Sequence, residues 1–235
     1  MRNLKKAMNI LLAVTMMIGV LAMAPAAGAA GERVDVAYVS AAGEDMGTRS
    51  CIRVTKDVTN WSNGWYAFRY GGLSNNTFYV NGTVNLIICD DCNNFTADAG
   101  IILNPGSHLI IWGQSGGRGY LRANGKTDYR PGIGGDATSG DSGNLTINGG
   151  KIVAEGGNGA PGLGSCGHDS GVITINGGNI TAYGCNGKDN VPGAPGIGAS
   201  GSGTMNDIYF YGGSLNITGG YNASSRPCLA SDRRR

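Results

Sequence analysis

The chain has 235 residues, 43 of them glycine, with 18 Lys+Arg against 16 Asp+Glu and charged residues at only 14%. A net charge of +2 is far from the dense basic face that a nucleic-acid binder needs. With 7 prolines and no strict Gly-X-Y period the chain is not collagen, and apolar residues recurring in short β-rich runs argue against disorder.

Residues 1–30 read as a secretory signal peptide. Arg2, Lys5 and Lys6 precede a run, residues 7–22, that is apolar except for Asn9 and Thr15, and Ala27-Gly28-Ala29 fits a small-residue cleavage site. An uncleaved membrane anchor is the alternative reading of that run. No later stretch approaches the roughly 20 apolar residues of a membrane span. The mature chain is therefore expected to be secreted or held at the cell surface.

Residues 31–76 form an N-terminal segment and cap, in which Trp61, Trp65 and Tyr66 are expected to plug one end of the fold. Strand-like runs follow at residues 77–80, 84–89 and 100–103, separated by Asn, Gly and Asp turns. Six cysteines (Cys51, Cys89, Cys92, Cys166, Cys185, Cys228) in an exported chain permit up to three disulfides, with the pairing open. Cys89-Asp90-Asp91-Cys92 is a lone CxxC. Without a second pair or a nearby His it completes no zinc set, and it reads as a small disulfide loop or two free thiols.

From residue 109 the sequence repeats itself. Pro131-Gly132-Ile133-Gly134 returns as Pro161-Gly162-Leu163-Gly164, Pro195-Gly196-Ile197-Gly198 and a worn Pro227-Cys228-Leu229-Ala230, with starts 30, 34 and 32 residues apart. Units at 109–134, 144–165, 172–199 and 207–230 share one plan: a short strand, a Gly turn, a second strand, then a loop ending in the motif. Inside the strands the alternation has period 2, so one residue set faces in. Aligned, the inward sets form columns: Leu109, Leu145, Ile173 and Ile208; Ile111, Ile147, Ile175 and Phe210; Leu121, Ile152, Ile180 and Leu215; Ala123, Ala154, Ala182 and Ile217. The motif adds Ile133, Leu163, Ile197 and Leu229. Fixed-period similarity of this kind marks units that bury their apolar faces only against their neighbours. The expected fold is all-β: a single-stranded, right-handed parallel β-helix (β-solenoid) of about 30-residue repeats over residues 77–230, with 231–235 as a tail. An antiparallel β-sandwich would explain the alternation but not the register across copies.

The run G-N-L-T-I-N-G-G-K-I-V-A-E-G-G-N-G-A-P-G-L-G, together with N-W-S-N-G-W-Y (residues 60–66) and L-I-I-W-G-Q-S-G-G-R-G-Y-L (109–121), resembles repeats of large exported surface proteins of Gram-positive bacteria. The resemblance spans residues 60–230 and implies a β-helix related to carbohydrate-binding modules. Two departures stand out. The last unit has lost the motif glycines at Cys228 and Ala230, and the chain stops at Ser231-Asp232-Arg233-Arg234-Arg235 without a wall-sorting motif. Residues 228–235 read either as a cap or as the edge of a longer protein.

Chemistry has few candidates. Glycoside hydrolysis typically needs two carboxylates roughly 5–10 Å apart, yet Glu155 is a lone acid facing Asn124, Tyr183 and Thr218 in neighbouring units. His108 and His168 lie 60 residues apart. Asp90, Asp91, Asp136 and Asp141 could offer oxygens to calcium, but no calcium-loop pattern is present and no cofactor is expected. The better candidates are outward aromatics, Trp112, Tyr183, Tyr209 and Tyr211, whose rings could stack on sugars beside Asn and Thr hydrogen-bonding groups. The expectation is a non-enzymatic exported module whose partner is a polysaccharide or host or cell-surface glycan, acting in binding or adhesion. A structural spacer or stalk, and a polysaccharide lyase or hydrolase, are the alternatives.

Overall fold

The structure, a computed structural model, describes residues 31–127, 129–187 and 192–221. The signal-peptide reading, the worn motif at Pro227-Cys228-Leu229-Ala230 and the arginine tail lie outside the described residues. The described chain is all-β and builds three sheets, two of them entirely parallel and the third parallel except for one hairpin.

Two strands come first, β1 (Arg33–Val39) and β2 (Asp45–Arg53). The chain then laps the three sheets in fixed rotation. The first lap is β3 (Asn60–Trp61), β4 (Gly64–Phe68) and β5 (Gly72–Ser74), and the second is β6 (Phe78–Val80), β7 (Thr83–Ile88) and β8 (Phe95–Ala97). Next come β9 (Ile101–Leu103), β10 (His108–Trp112) and β11 (Tyr120–Asn124), then β12 (Ile133–Gly135), β13 (Asn144–Ile147) and β14 (Lys151–Glu155). The last two laps are β15 (Leu163–Cys166), β16 (Ile173–Ile175) and β17 (Asn179–Tyr183), and β18 (Ile197–Ser200), β19 (Ile208–Phe210) and β20 (Ser214–Thr218). The first sheet runs β1-β2-β4-β7-β10-β13-β16-β19, the second β5-β8-β11-β14-β17-β20, and the third β3-β6-β9-β12-β15-β18.

The registers place like residues on like. In the first sheet Tyr66, Leu86, Ile111, Ile147, Ile175 and Phe210 follow one another across paired strands. In the second sheet the sequence is Phe95, Leu121, Ile152, Ile180 and Leu215. The motif residues Ile133, Leu163 and Ile197 continue a column begun by Phe78 and Ile101 in the third. Apart from Phe210, these side chains merge into or pack against one apolar cluster. Each large aliphatic side chain taken out of water contributes roughly 1.5–3 kcal/mol, so the columns supply the driving force that a low-charge, glycine-rich chain otherwise lacks. Burial is complete through the middle laps and fades in the last described one, where Ile208, Leu215 and Ile217 are half-buried and Phe210 is exposed.

Two glycine positions make the stacking possible. Gly178 turns the chain between β16 and β17 with φ of 95°, a left-handed conformation that a side chain resists. Gly164, the second glycine of the motif, has φ of 132°, and a Cβ there would collide with the carbonyl of Gly198 in the next lap.

The aromatic plug is built from Trp61 and Tyr66 with Phe68, Phe78 and Phe95. Ring centroids lie 5.1 Å apart for Trp61–Phe78 and 4.1 Å for Phe68–Phe95, and the Trp61 indole N–H donates to the Val58 carbonyl at 2.8 Å. Trp65 departs from the expectation. It alternates with Tyr66 on β4, so it faces outward, and the β1–β2 hairpin covers it. Val36, Tyr38 and Cys51 of the hairpin pack on Ala67, Ile87 and Cys89, forming a second small core outside the first sheet. Residues 114–118, between β10 and β11, fasten this cover. Gln114 donates to the Ala37 carbonyl at 2.7 Å, and the Asp90 carboxylate accepts from Gly116 and Arg118 N–H groups at 2.8 Å each.

The CxxC does not form a disulfide loop. Cys89 belongs to the outer cluster and Cys92 to the inner core, so the two thiols lie on opposite sides of the wall. Burial first, with Asp91 adding to it, pushes both thiols up to about 12.

Candidate functional site

The first sheet offers the most regular outward surface. Trp65, Asn85, Ile110, Thr146, Thr174 and Tyr209 form one outward column. At the adjacent corner the N–H groups of Asn148, Asn176 and Tyr211 each donate to the preceding lap, to Ile111, Ile147 and Ile175 carbonyls, at 2.8 Å. The Asn176 amide donates to the Asn148 side-chain oxygen at 2.8 Å, making a two-rung ladder. His108 lies 2.9 Å from the Thr146 hydroxyl, and burial pushes its imidazole below the usual histidine range.

This surface divides in two. Its first half, Trp65 to Trp112, is roofed by the hairpin. Its second half runs from half-buried Thr146, Thr174 and Asn176 to two exposed tyrosines, and the hairpin tip reaches its corner at Gly177, where a Cβ would lie 3.4 Å from that of Ala41. The Tyr209 and Tyr211 rings are parallel within 4°, with centroids 6.1 Å apart, and are 42% and 72% exposed. Tyr209 lies on β19 and Tyr211 one residue beyond its end, and the i, i+2 spacing leaves both rings on the same side. The Tyr209 hydroxyl donates to Asp207 at 2.9 Å, which orients the ring and raises its pKa.

Of the four aromatics expected at the site, only Tyr209 and Tyr211 come together. Tyr183 is exposed, but at the end of β17 on the second sheet, registered with Glu155 and Thr218. Trp112 is not an open ring. Tyr38 packs edge-on against it at 5.1 Å and Trp65 stacks on it at 6.2 Å, while its indole N–H donates to Asn85 at 3.1 Å. An outward strand position is exposed only if nothing lies over it, and here a hairpin from 74 residues earlier, measured from Tyr38, does.

The acids have local partners. Glu155 is paired with Arg122 at 2.7 Å across laps. Burial alone would raise the Asp136 carboxyl, but hydrogen bonds from Thr138 and Ser139 outweigh it and hold the group below the usual carboxylate range. Arg130 stands 3.8 Å from Asp136. Among the described residues, no group of three or more His, Cys, Asp or Glu side chains is placed to share a metal ion.

Sequence reasoning missed Tyr129. It sits in the loop before the first Pro-Gly motif, at the mouth of a cavity shared by three successive laps. The only sequence signal is an aromatic two residues before Pro131. No protein-family model, curated protein or solved structure matches the chain.

Taken together, the second half of the first sheet carries hydroxyls, amides and two parallel phenol rings, with Asp207 at its margin. Such a surface suits a ligand with apolar ring faces and many hydroxyl groups, since aromatic rings supply apolar contact and a polar edge together.

Proposed function

We propose that the chain is a right-handed, single-stranded parallel β-helix with coils of about 30 residues, exported to the cell exterior or surface, where it binds polysaccharide without cleaving it. The three-sheet rotation, the column registers and the charged-then-apolar start of the sequence support the architecture and the export. The observation that carries the binding role is the Tyr209–Tyr211 pair: two parallel exposed rings, one on β19 and one just past its end, beside Thr174 and Asn176. The resemblance to exported surface repeats points the same way.

Binding to insoluble and soluble polysaccharides tests the reading. Tyr209→Ala and Tyr211→Ala should each weaken binding about tenfold, ~1.4 kcal/mol, with melting unchanged because both rings lie outside the core. If the wild-type chain retains no polysaccharide, the regular columns favour the spacer reading instead. Release of reducing ends or unsaturated products would revive the lyase or hydrolase.

A further inference from the structure

We infer that the cavity at Tyr129 is a second sugar subsite, which takes one neutral sugar ring at the end or along the backbone of the bound polysaccharide. This rests on the polysaccharide-binding reading but uses a different surface.

The cavity arises where the loops leading into and out of the third sheet stack over three laps. It encloses about 430 Å³ between Tyr129, Ala137, Gly159, Cys166, Pro192 and Ser202, within the span of about 300–1,000 Å³ typical of small-ligand pockets. None of these six side chains carries a charge at neutral pH, and burial pushes the Cys166 thiol up. Among the described residues that line the cavity none offers a countercharge, so an ionised ligand would lose its hydration here uncompensated. The chemistry therefore selects an uncharged ligand and disfavours uronic acids.

Tyr129 gives the second observation. Its φ is 61°, a left-handed conformation that is an outlier for a bulky residue. Strain of this kind persists only where surrounding structure enforces it, and here the Tyr129 N–H donates to the Asn158 carbonyl of the next lap at 2.9 Å. Yet the ring belongs to neither apolar cluster and is 43% exposed. The strained backbone thus holds an aromatic face at a cavity mouth rather than in a core.

Polar groups complete the match. Ser202 donates to the Gly167 carbonyl at 3.0 Å and keeps its lone pairs for a ligand hydroxyl. Next to the lining residue Gly159, the Asn158 side-chain oxygen is buried without a hydrogen-bond partner in the protein, and unpaired buried polar atoms are rare in native folds. A sugar ring presents an apolar face for Tyr129 and hydroxyls for these groups.

Hydroxyl-radical footprinting of the full chain tests this, with cellohexaose, xylohexaose, mannohexaose and chitohexaose as neutral probes and hexagalacturonate as the charged one. At least one neutral probe should protect Tyr129, and hexagalacturonate should not. Tyr129→Ala and the cavity-filling Ala137→Leu should each weaken that probe's binding about tenfold without lowering the melting temperature. Tyr129 oxidising equally with and without every neutral probe overturns the subsite. Protection of Tyr209 and Tyr211 alone then leaves the first-sheet reading standing, protection of Tyr129 alone overturns that reading and keeps this one, and protection of neither overturns both.

Discussion

Gly164 concentrates the geometric demand of the fold in one residue. A methyl group there meets the Gly198 carbonyl of the next lap and must also tolerate a φ of 132°. Gly164→Ala is therefore expected to destabilise the chain by about 4 kcal/mol, in the range reserved for backbone clashes that cannot relax; a urea midpoint close to wild type would contradict the stacking. The thiols give a second check. Burial raises Cys51 to about 11 and Cys89 and Cys92 to about 12, so at pH 8 almost none of each is thiolate, the reactive form. A colorimetric disulfide reagent should label these three only after unfolding, and fast labelling of the native chain would place them elsewhere. His108 gives a pH signature. Its folded pKa lies below the unfolded value of about 6.5 because burial disfavours the imidazolium. Its neutral form favours the fold above that pH, and the contribution is lost as pH falls from the unfolded value through the folded one. In His108→Gln the fall in stability between about pH 7 and 5 should be shallower; an identical slope would show that other groups govern it.

At the scale of elements, the β1–β2 hairpin decides which aromatics are available. Tyr38 stands 4.9 Å from Trp65 and 5.1 Å from Trp112, and Arg49 lies over the Trp65 ring at 5.5 Å. Tyr38→Ala should cost about 3 kcal/mol as a large-to-small change in a packed cluster. It should also shift tryptophan emission to the red and open residues 31–53 to protease. Unchanged emission would mean that the hairpin does not roof these indoles. The roof was hard to foresee. Val34, Val36 and Tyr38 alternate and announce a strand with one apolar face, but nothing in the sequence says that this face meets the outside of a repeat column. Trp112 accordingly reads as open from its strand position alone. The divided CxxC has the same origin: whether two nearby thiols share a compartment depends on which side of the wall each faces, and the turn after β7 sends Cys89 out and Cys92 in.

Over the whole molecule, the columns were legible because their cause is local and repeated. Ile147 and Ile175 had to align once the Asn-Gly-Gly turns did, and period-2 alternation fixed which side was inward. The same logic extends to laps without the motif, where Phe78 and Ile101 continue the column of Ile133. The Tyr129 cavity was not legible, since it arises from the unequal loops between aligned strands, and loop shape follows no period. The sharpest test of the binding role is an affinity measurement by calorimetry on a panel of neutral polysaccharides, comparing the wild-type chain with the Tyr209→Ala/Tyr211→Ala double variant at matched melting temperature. The account predicts measurable binding of at least one polysaccharide by the wild type and a loss of at least about tenfold, ~1.4 kcal/mol, in the double variant, the two stacked rings acting as one unit. Equal affinity of the two proteins, or no binding by either, would contradict it.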